Sequence, residues 1–243
     1  MTYCIALRLD GGLLYLSDTR TNAGVDDIST VRKSHSWNVP DDRTITVMSA
    51  GNLATTQSVV SWLNERNLSP SERDPTILSA SSMFNVARIV GDTLRTEVTS
   101  RAGSGPASDG AFSGTLIVGG QIAGAPPRLF LVYPEGNFIE ATDDNPFFQI
   151  GEAKYGKPII LRAFRSEMDW RDAAKLALVS MDSTVRSNLS VDPPLDLRWV
   201  PAGAFAPAHE RRIEADDPYL RRVSDGWSEA LRAAFAHLPD YED

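Results

Sequence analysis

A chain of 243 residues, 42% apolar and 23% charged, has the size and composition of one globular domain with a substantial core. Its formal net charge of -8, with no long basic run, argues against nucleic acid and anionic membrane as partners. The single cysteine, Cys4, cannot form an internal disulfide, and the start lacks a basic-then-apolar signal pattern, so a cytoplasmic protein is expected.

Residues 3–9 read as an apolar strand, Asp10-Gly11-Gly12 as a turn, and residues 13–17 as the strand that pairs back. Asp-Gly between apolar runs is a strong hairpin signal. Asp18 then falls where the chain leaves the sheet and a side chain can face a cleft. Residues 44–50 form another strand by the alternation of Ile45 and Val47 with threonines, ending in the glycine corner Ala50-Gly51-Asn52. Val59, Val60, Trp62 and Leu63 mark a helix starting near Thr55. Met83, Phe84, Val86, Ala87, Val90 and Leu94 mark a longer one, after a linker with Pro70 and Pro75.

Residues 101–110, rich in Gly and Ser, are expected to be a flexible loop. Strands return at 112–118, 129–133 and 137–142, the last two joined by a Pro134-Glu135-Gly136 turn. A helix over 172–186, a strand over 195–200, and a helix carrying Leu220, Val223, Trp227, Leu231 and Phe235 complete the chain. This order suggests helices layered on sheets, an α+β fold rather than a doubly wound one. The expectation is a single domain over 1–243, with a helical C-terminal extension from about residue 205.

The chemistry is concentrated at the start. Thr2 follows the initiator methionine and runs directly into the first strand. Once Met1 is removed, the freed α-amine lies beside the threonine hydroxyl and can take its proton, a known form of activated nucleophile. Thr2 alone is weak, since small residues after Met are common, but Asp18 and Lys33 follow at intervals that suit a charged partner pair. Other features carry bland readings. His35, His209 and His237 lack metal-ligand spacing, so no metal is expected. Gly119-Gly120 and residues 103–105 are not a phosphate loop, since no Gly-Lys-Ser/Thr follows. Asp26-Asp27 and Asp143-Asp144 read as solvated loops, and Cys4 as packing.

Several runs together resemble a known family. They are Thr2; Asp18-Thr19-Arg20-Thr21-Asn22-Ala23-Gly24; Lys33; Ser49-Ala50-Gly51; residues 150–158, beginning Ile150-Gly151-Glu152; and residues 180–190. The chain resembles the proteasome-type threonine peptidases, and within them the Anbu group of bacterial proteasome-like subunits, over roughly residues 2–200. The resemblance implies the four-layer αββα sandwich of N-terminal-nucleophile hydrolases, with two antiparallel sheets between helical layers. It implies Thr2 as nucleophile, Lys33 and Asp18 as its charged partners, and the Gly51 N–H as oxyanion donor. Thr21, Asn22, Leu53 and Val31 would bind substrate, a peptide or unfolded protein added as an extended strand.

By the same resemblance Glu152 stands where proteasome subunits carry serine, Ser187 where they carry an aspartate near the amine, and Ser190 at a shared serine; these three are supporting candidates. A large homo-oligomer is implied, no cofactor is needed, and an ATP-dependent unfoldase partner is an analogy that no residue identifies. Two rival readings are a catalytically silent assembly scaffold and an amidohydrolase of the same fold acting on a small amide.

Overall fold

The structure is a computed structural model that describes residues 1–22, 28–69, 75–102 and 110–242. Pro70, most of the expected 101–110 loop and the Asp26-Asp27 pair lie outside the described residues. The first hairpin joins β1 (Tyr3–Leu9) to β2 (Gly12–Asp18) through a turn at Asp10 and Gly11, with Leu9 opposite Gly12. Short strands β3 (Arg20–Asn22) and β4 (Ile28–Thr30) follow, then β5 (Ser34–Val39) and β6 (Arg43–Gly51). Helices α1 (Leu53–Leu68) and α2 (Met83–Ala102) come next. Strands β7 (Gly114–Ile122), β8 (Arg128–Val132), β9 (Phe138–Glu140) and β10 (Phe147–Gly151) lead to helices α3 (Ala153–Ala163) and α4 (Trp170–Ser187). Strands β11 (Leu195–Pro201) and β12 (His209–Ile213) and helix α5 (Pro218–Ala236) close the chain.

Two five-stranded sheets, in the orders β10-β1-β2-β11-β12 and β5-β6-β7-β8-β9, are antiparallel throughout. The period of two along each strand explains the layering. Tyr3, Ile5 and Leu7 of β1 pack with Ala177, Leu178 and Met181 of α4, while Cys4 and Ala6 point the other way, toward Met48 and Ala50 of β6. Ile45 and Val47 of β6 meet Val59 and Leu63 of α1 and Val86 and Val90 of α2. The result is helices, sheet, sheet, helices, the αββα sandwich expected from the sequence. Burial of apolar surface on both faces of each sheet, at roughly 25 cal/mol per Å², is the main force holding the layers together.

The elements the sequence reading did not find have physical explanations. Helix α3 contains Gly156 and Pro158, residues that lower helix propensity, and it is held by packing of Ile160 in the core. Strand β5 lies at a sheet edge, with polar Ser34, Ser36 and Asn38 between His35, Trp37 and Val39. Strand β12 pairs with β11, so the tail adds a strand to its sheet before α5 begins. Among the described residues no helix is long and apolar enough to cross a membrane.

Candidate active site

The N-terminus is held by strand pairing. Tyr3 lies opposite Gly151, and the Glu152 amide donates to the Thr2 carbonyl at 2.7 Å. Gly151 has a φ of +81°, and a Cβ there would stand 1.9 Å from the Thr2 carbonyl oxygen. Only glycine allows β10 to pass this close to Thr2. The next residue is locked from below. The Tyr3 hydroxyl and Ser180 Oγ are 2.6 Å apart, Gln149 donates to the same hydroxyl, and Ser180 Oγ donates to the Gly156 carbonyl at 3.0 Å. Burial pushes the Tyr3 phenol well up from its ordinary range, so it stays neutral.

Behind Thr2 lies a buried ion pair. Asp18 is fully buried; its Oδ1 accepts from the Tyr3 amide at 2.9 Å and its Oδ2 from Lys33 Nζ at 2.7 Å. Lys33 is also buried, and its ammonium donates further to the Arg20 carbonyl at 2.7 Å and the Met1 carbonyl at 3.2 Å. Those three acceptors match the three donors of an ammonium. Burial pushes the Asp18 carboxyl up from its ordinary value, against the opposing pull of the Lys33 charge and the Tyr3 amide. The N-terminal ammonium of Met1 is lowered, first by burial and then by Lys33, with Asp18 and Glu152 acting the other way.

Backbone bonds bring Lys33 here. Its carbonyl accepts from the Ser49 amide at 2.9 Å, and the Val31 amide donates to the Thr19 carbonyl at 2.7 Å. Arg20 pairs with Asp192 at 2.7 Å, and Thr19 Oγ1 donates to the Pro194 carbonyl at 2.7 Å. The segment carrying Thr21 is therefore tied to the chain that follows α4.

Gly51 ends β6 with a φ of +111°, and a Cβ there would meet the Ser113 carbonyl oxygen at 2.5 Å. The Asn52 amide donates to Ser113 on one side of β6, and the Ser49 amide donates to Lys33 on the other. Antiparallel alternation therefore turns the Gly51 N–H to the Lys33 side. Helix α1 begins directly after, capped by Asn52, whose Oδ1 accepts from the Thr55 amide at 3.0 Å. The positive end of its dipole faces the same space.

Thr2, Thr21, Lys33, Gly51, Leu53 and Glu152, all singled out in the sequence, line one cavity of about 450 Å³. Asp18 stands directly behind Lys33. Asn22 ends β3, opposite Ile28. Glu152 is paired with Lys154 at 3.4 Å rather than with Lys33. Val31 does not line the cavity. Ser187 and Ser190 do not line it either: the Ser187 hydroxyl donates to the Ser183 carbonyl of its own helix at 2.8 Å, and the Ser190 amide to Asn188 Oδ1 at 2.9 Å. Asn188, between them, comes within 4.0 Å of the Met1 sulfur. The sequence reading missed Arg32, His35, Thr56 and Gln57, which also line the cavity, as do Ser49 and Ala50 of the run that ends in Gly51. His35 lies on β5, an edge strand that was itself unread. Among the described residues no group of three or more His, Cys, Asp or Glu could hold a metal ion.

Two antiparallel sheets between helical layers, with a threonine at the chain start beside a buried lysine–aspartate pair, define a proteasome-like subunit of the N-terminal-nucleophile fold. Solved structures agree over the whole chain. Anbu from Hyphomicrobium sp. strain MC1, as a Gly-1 mutant, is 49% identical with a TM-score of 0.92, covering 100% of both chains. Anbu from Yersinia bercovieri, described as an ancestral β-subunit, is 48% identical with a TM-score of 0.92, covering 100% of this chain and 99% of that one. The Anbu complex of Pseudomonas aeruginosa, solved as a helical assembly, is 40% identical with a TM-score of 0.91, again covering 100% and 99%. No protein-family model and no curated protein matches the chain. The chain belongs to the Anbu family of proteasome-like β-subunits.

Proposed function

We propose that this chain is a threonine-type peptidase subunit that hydrolyses peptide bonds through Thr2 once Met1 has been removed. The observation that carries the reading is the hydrogen bond from Lys33 to the Met1 carbonyl, made while Lys33 is held by buried Asp18. That carbonyl oxygen and the Thr2 nitrogen share one carbon, so the ammonium lies within roughly 5.5 Å of the atom that would become the free amine.

The free amine takes the hydroxyl proton as Thr2 Oγ bonds to the substrate carbonyl carbon. Lys33 lowers the cost of the alkoxide by its charge, and Asp18 keeps Lys33 charged and aimed. The Gly51 N–H faces the negative oxygen that develops; one such donor is worth roughly 2.7–4 kcal/mol elsewhere. The scissile nitrogen leaves with the proton, giving an ester on Thr2. Water then gives a proton to the amine and attacks the ester, and the threonine hydroxyl is restored. No cofactor enters. An extended substrate would pair with backbone groups near Asn22 and Gly51 on either side of the cavity.

The assembly of the Pseudomonas aeruginosa relative supports self-association of this chain as well. The lone buried Cys4 suits a reducing, cytoplasmic setting. The test combines intact-mass analysis with turnover of fluorogenic peptides. Loss of one methionine, with activity present in the parent and absent in Thr2→Ala, is the expected result. Retention of Met1 on every copy, or activity that survives Thr2→Ala, would overturn it.

A further inference from the structure

The cavity at Thr2 is one of two that meet at β5. A second cavity of about 480 Å³ shares Arg32 and His35 with it and is also lined by Arg198, Arg211 and Arg212. Almost every cation in these walls is already committed to a carboxylate. Lys33 holds Asp18 at 2.7 Å, Arg198 meets Glu210 at 3.2 Å, Arg212 meets Asp196 at 2.8 Å, and Arg211 is bound to Asp217. Arg32 differs: it is exposed and has no carboxylate partner among the described residues. It lines the cavity at Thr2 without an ion pair to any described carboxylate.

The rest of that wall suits a short acidic side chain. Ala50 and Leu53 offer apolar surface for a methylene stem, and Thr56 and Gln57 offer polar groups beside it. The carboxylate that could repel such a ligand, Glu152, is held by Lys154 at 3.4 Å at the start of α3. A guanidinium presents a planar fork that fits a carboxylate in a two-point contact, which an ammonium cannot copy.

We infer that Arg32 sets the cleavage preference: the residue on the N-terminal side of the cut is glutamate or aspartate, its carboxylate received by the Arg32 guanidinium. The inference rests on the peptidase reading for the word "cut", while the pocket's choice of side chain is measurable without turnover. Peptides that end in the residue before the cut are products and bind without being hydrolysed there.

The experiment measures anisotropy of labelled peptides, identical except for a last residue of Glu, Leu or Lys, against the full-length protein. The Glu-ended peptide is expected to bind at least roughly tenfold more tightly than the other two, in line with a charge-assisted contact. Arg32→Ala removes that advantage and leaves the Leu-ended peptide unchanged; Arg32→Glu shifts the preference to Lys. Equal binding of all three, no binding of any, or a Glu preference that survives Arg32→Ala overturns the inference. Fluorogenic versions of the same peptides are assayed in parallel with Thr2→Ala. A Glu preference without Thr2-dependent turnover counts against the peptidase reading alone. Turnover after leucine with no effect of Arg32→Glu counts against the acidic pocket alone.

Discussion

Asp18 is bonded to the backbone amide of Tyr3 at 2.9 Å while its other oxygen holds Lys33. One carboxylate thus fastens the residue after Thr2 and orients the cation beside it, so Thr2 and its charged neighbour are held together. Removing the carboxylate therefore affects both position and charge.

The Asp18→Asn and Asp18→Ala variants separate these effects. The asparagine oxygen still accepts from Tyr3, but Lys33 loses its counter-charge, so peptide turnover is expected to fall by at least tenfold with a smaller change in fold stability. In Asp18→Ala a buried ammonium is left unpaired, a change that typically costs about 3–5 kcal/mol. Urea unfolding of both variants, compared with their peptide kinetics, checks this. An Asp18→Ala protein as stable as the parent would contradict the burial argument.

Gly151→Ala is expected to displace Thr2 without removing any proposed catalytic group, since the added methyl meets the Thr2 backbone first and its Cβ at 3.3 Å. A methyl group there meets the Thr2 carbonyl oxygen at 1.9 Å, on a backbone at φ +81° that disfavours alanine. The left-handed conformation alone costs about 1–2 kcal/mol for a residue with a Cβ. Labelling of Thr2 by a threonine-directed acylating probe should slow severely in the variant. Unchanged labelling would mean the β10–β1 contact does not set the position of Thr2.

Tyr3→Phe removes a hydroxyl shared with Ser180 and Gln149. Both partners lose a buried contact, so a destabilisation of about 1–3 kcal/mol is expected. A shift in the urea midpoint with an unchanged slope is the predicted signature. No shift would show that the contact makes no net contribution to folding.

The pH profile follows from the amine. The N-terminal ammonium of this chain is lowered from its ordinary 8.0 by burial and by Lys33. An amine must be neutral to accept a proton, so a lowered value makes the base available at lower pH. After Met1 is removed, the Thr2 amine lies among the same charges. Turnover should therefore rise with pH through a step that lies below that of an ordinary N-terminal amine. An acid limb at or above the ordinary value would argue against the amine as base.

Much of this protein could be read from the residues in order. Alternating apolar positions in 3–9 and 44–50 marked sheet strands with two buried faces, and the periodic runs from Val59 to Leu63 and Met83 to Leu94 marked helices; local patterning dictates such elements. The candidate residues Thr2, Asp18, Lys33 and Gly51 were visible because they are particular residue types in particular runs. Helix α3 was hidden by Gly156 and Pro158, β5 by the polar residues of an edge strand, and β12 because its residues pair only once β11 is beside them.

Which residues share a cavity was decided only by the fold. Arg32, His35 and Gln57 carry no signature in sequence; they line one cavity with Thr2 because β5 borders β6 and α1 starts where β6 ends. Ser187 and Ser190, chosen by the family resemblance, are held by α4 and its cap instead. The physical reason is range. A strand's face and a turn's glycine depend on neighbours in the chain, whereas the partner of a buried charge depends on which distant segments the layers bring to the same edge.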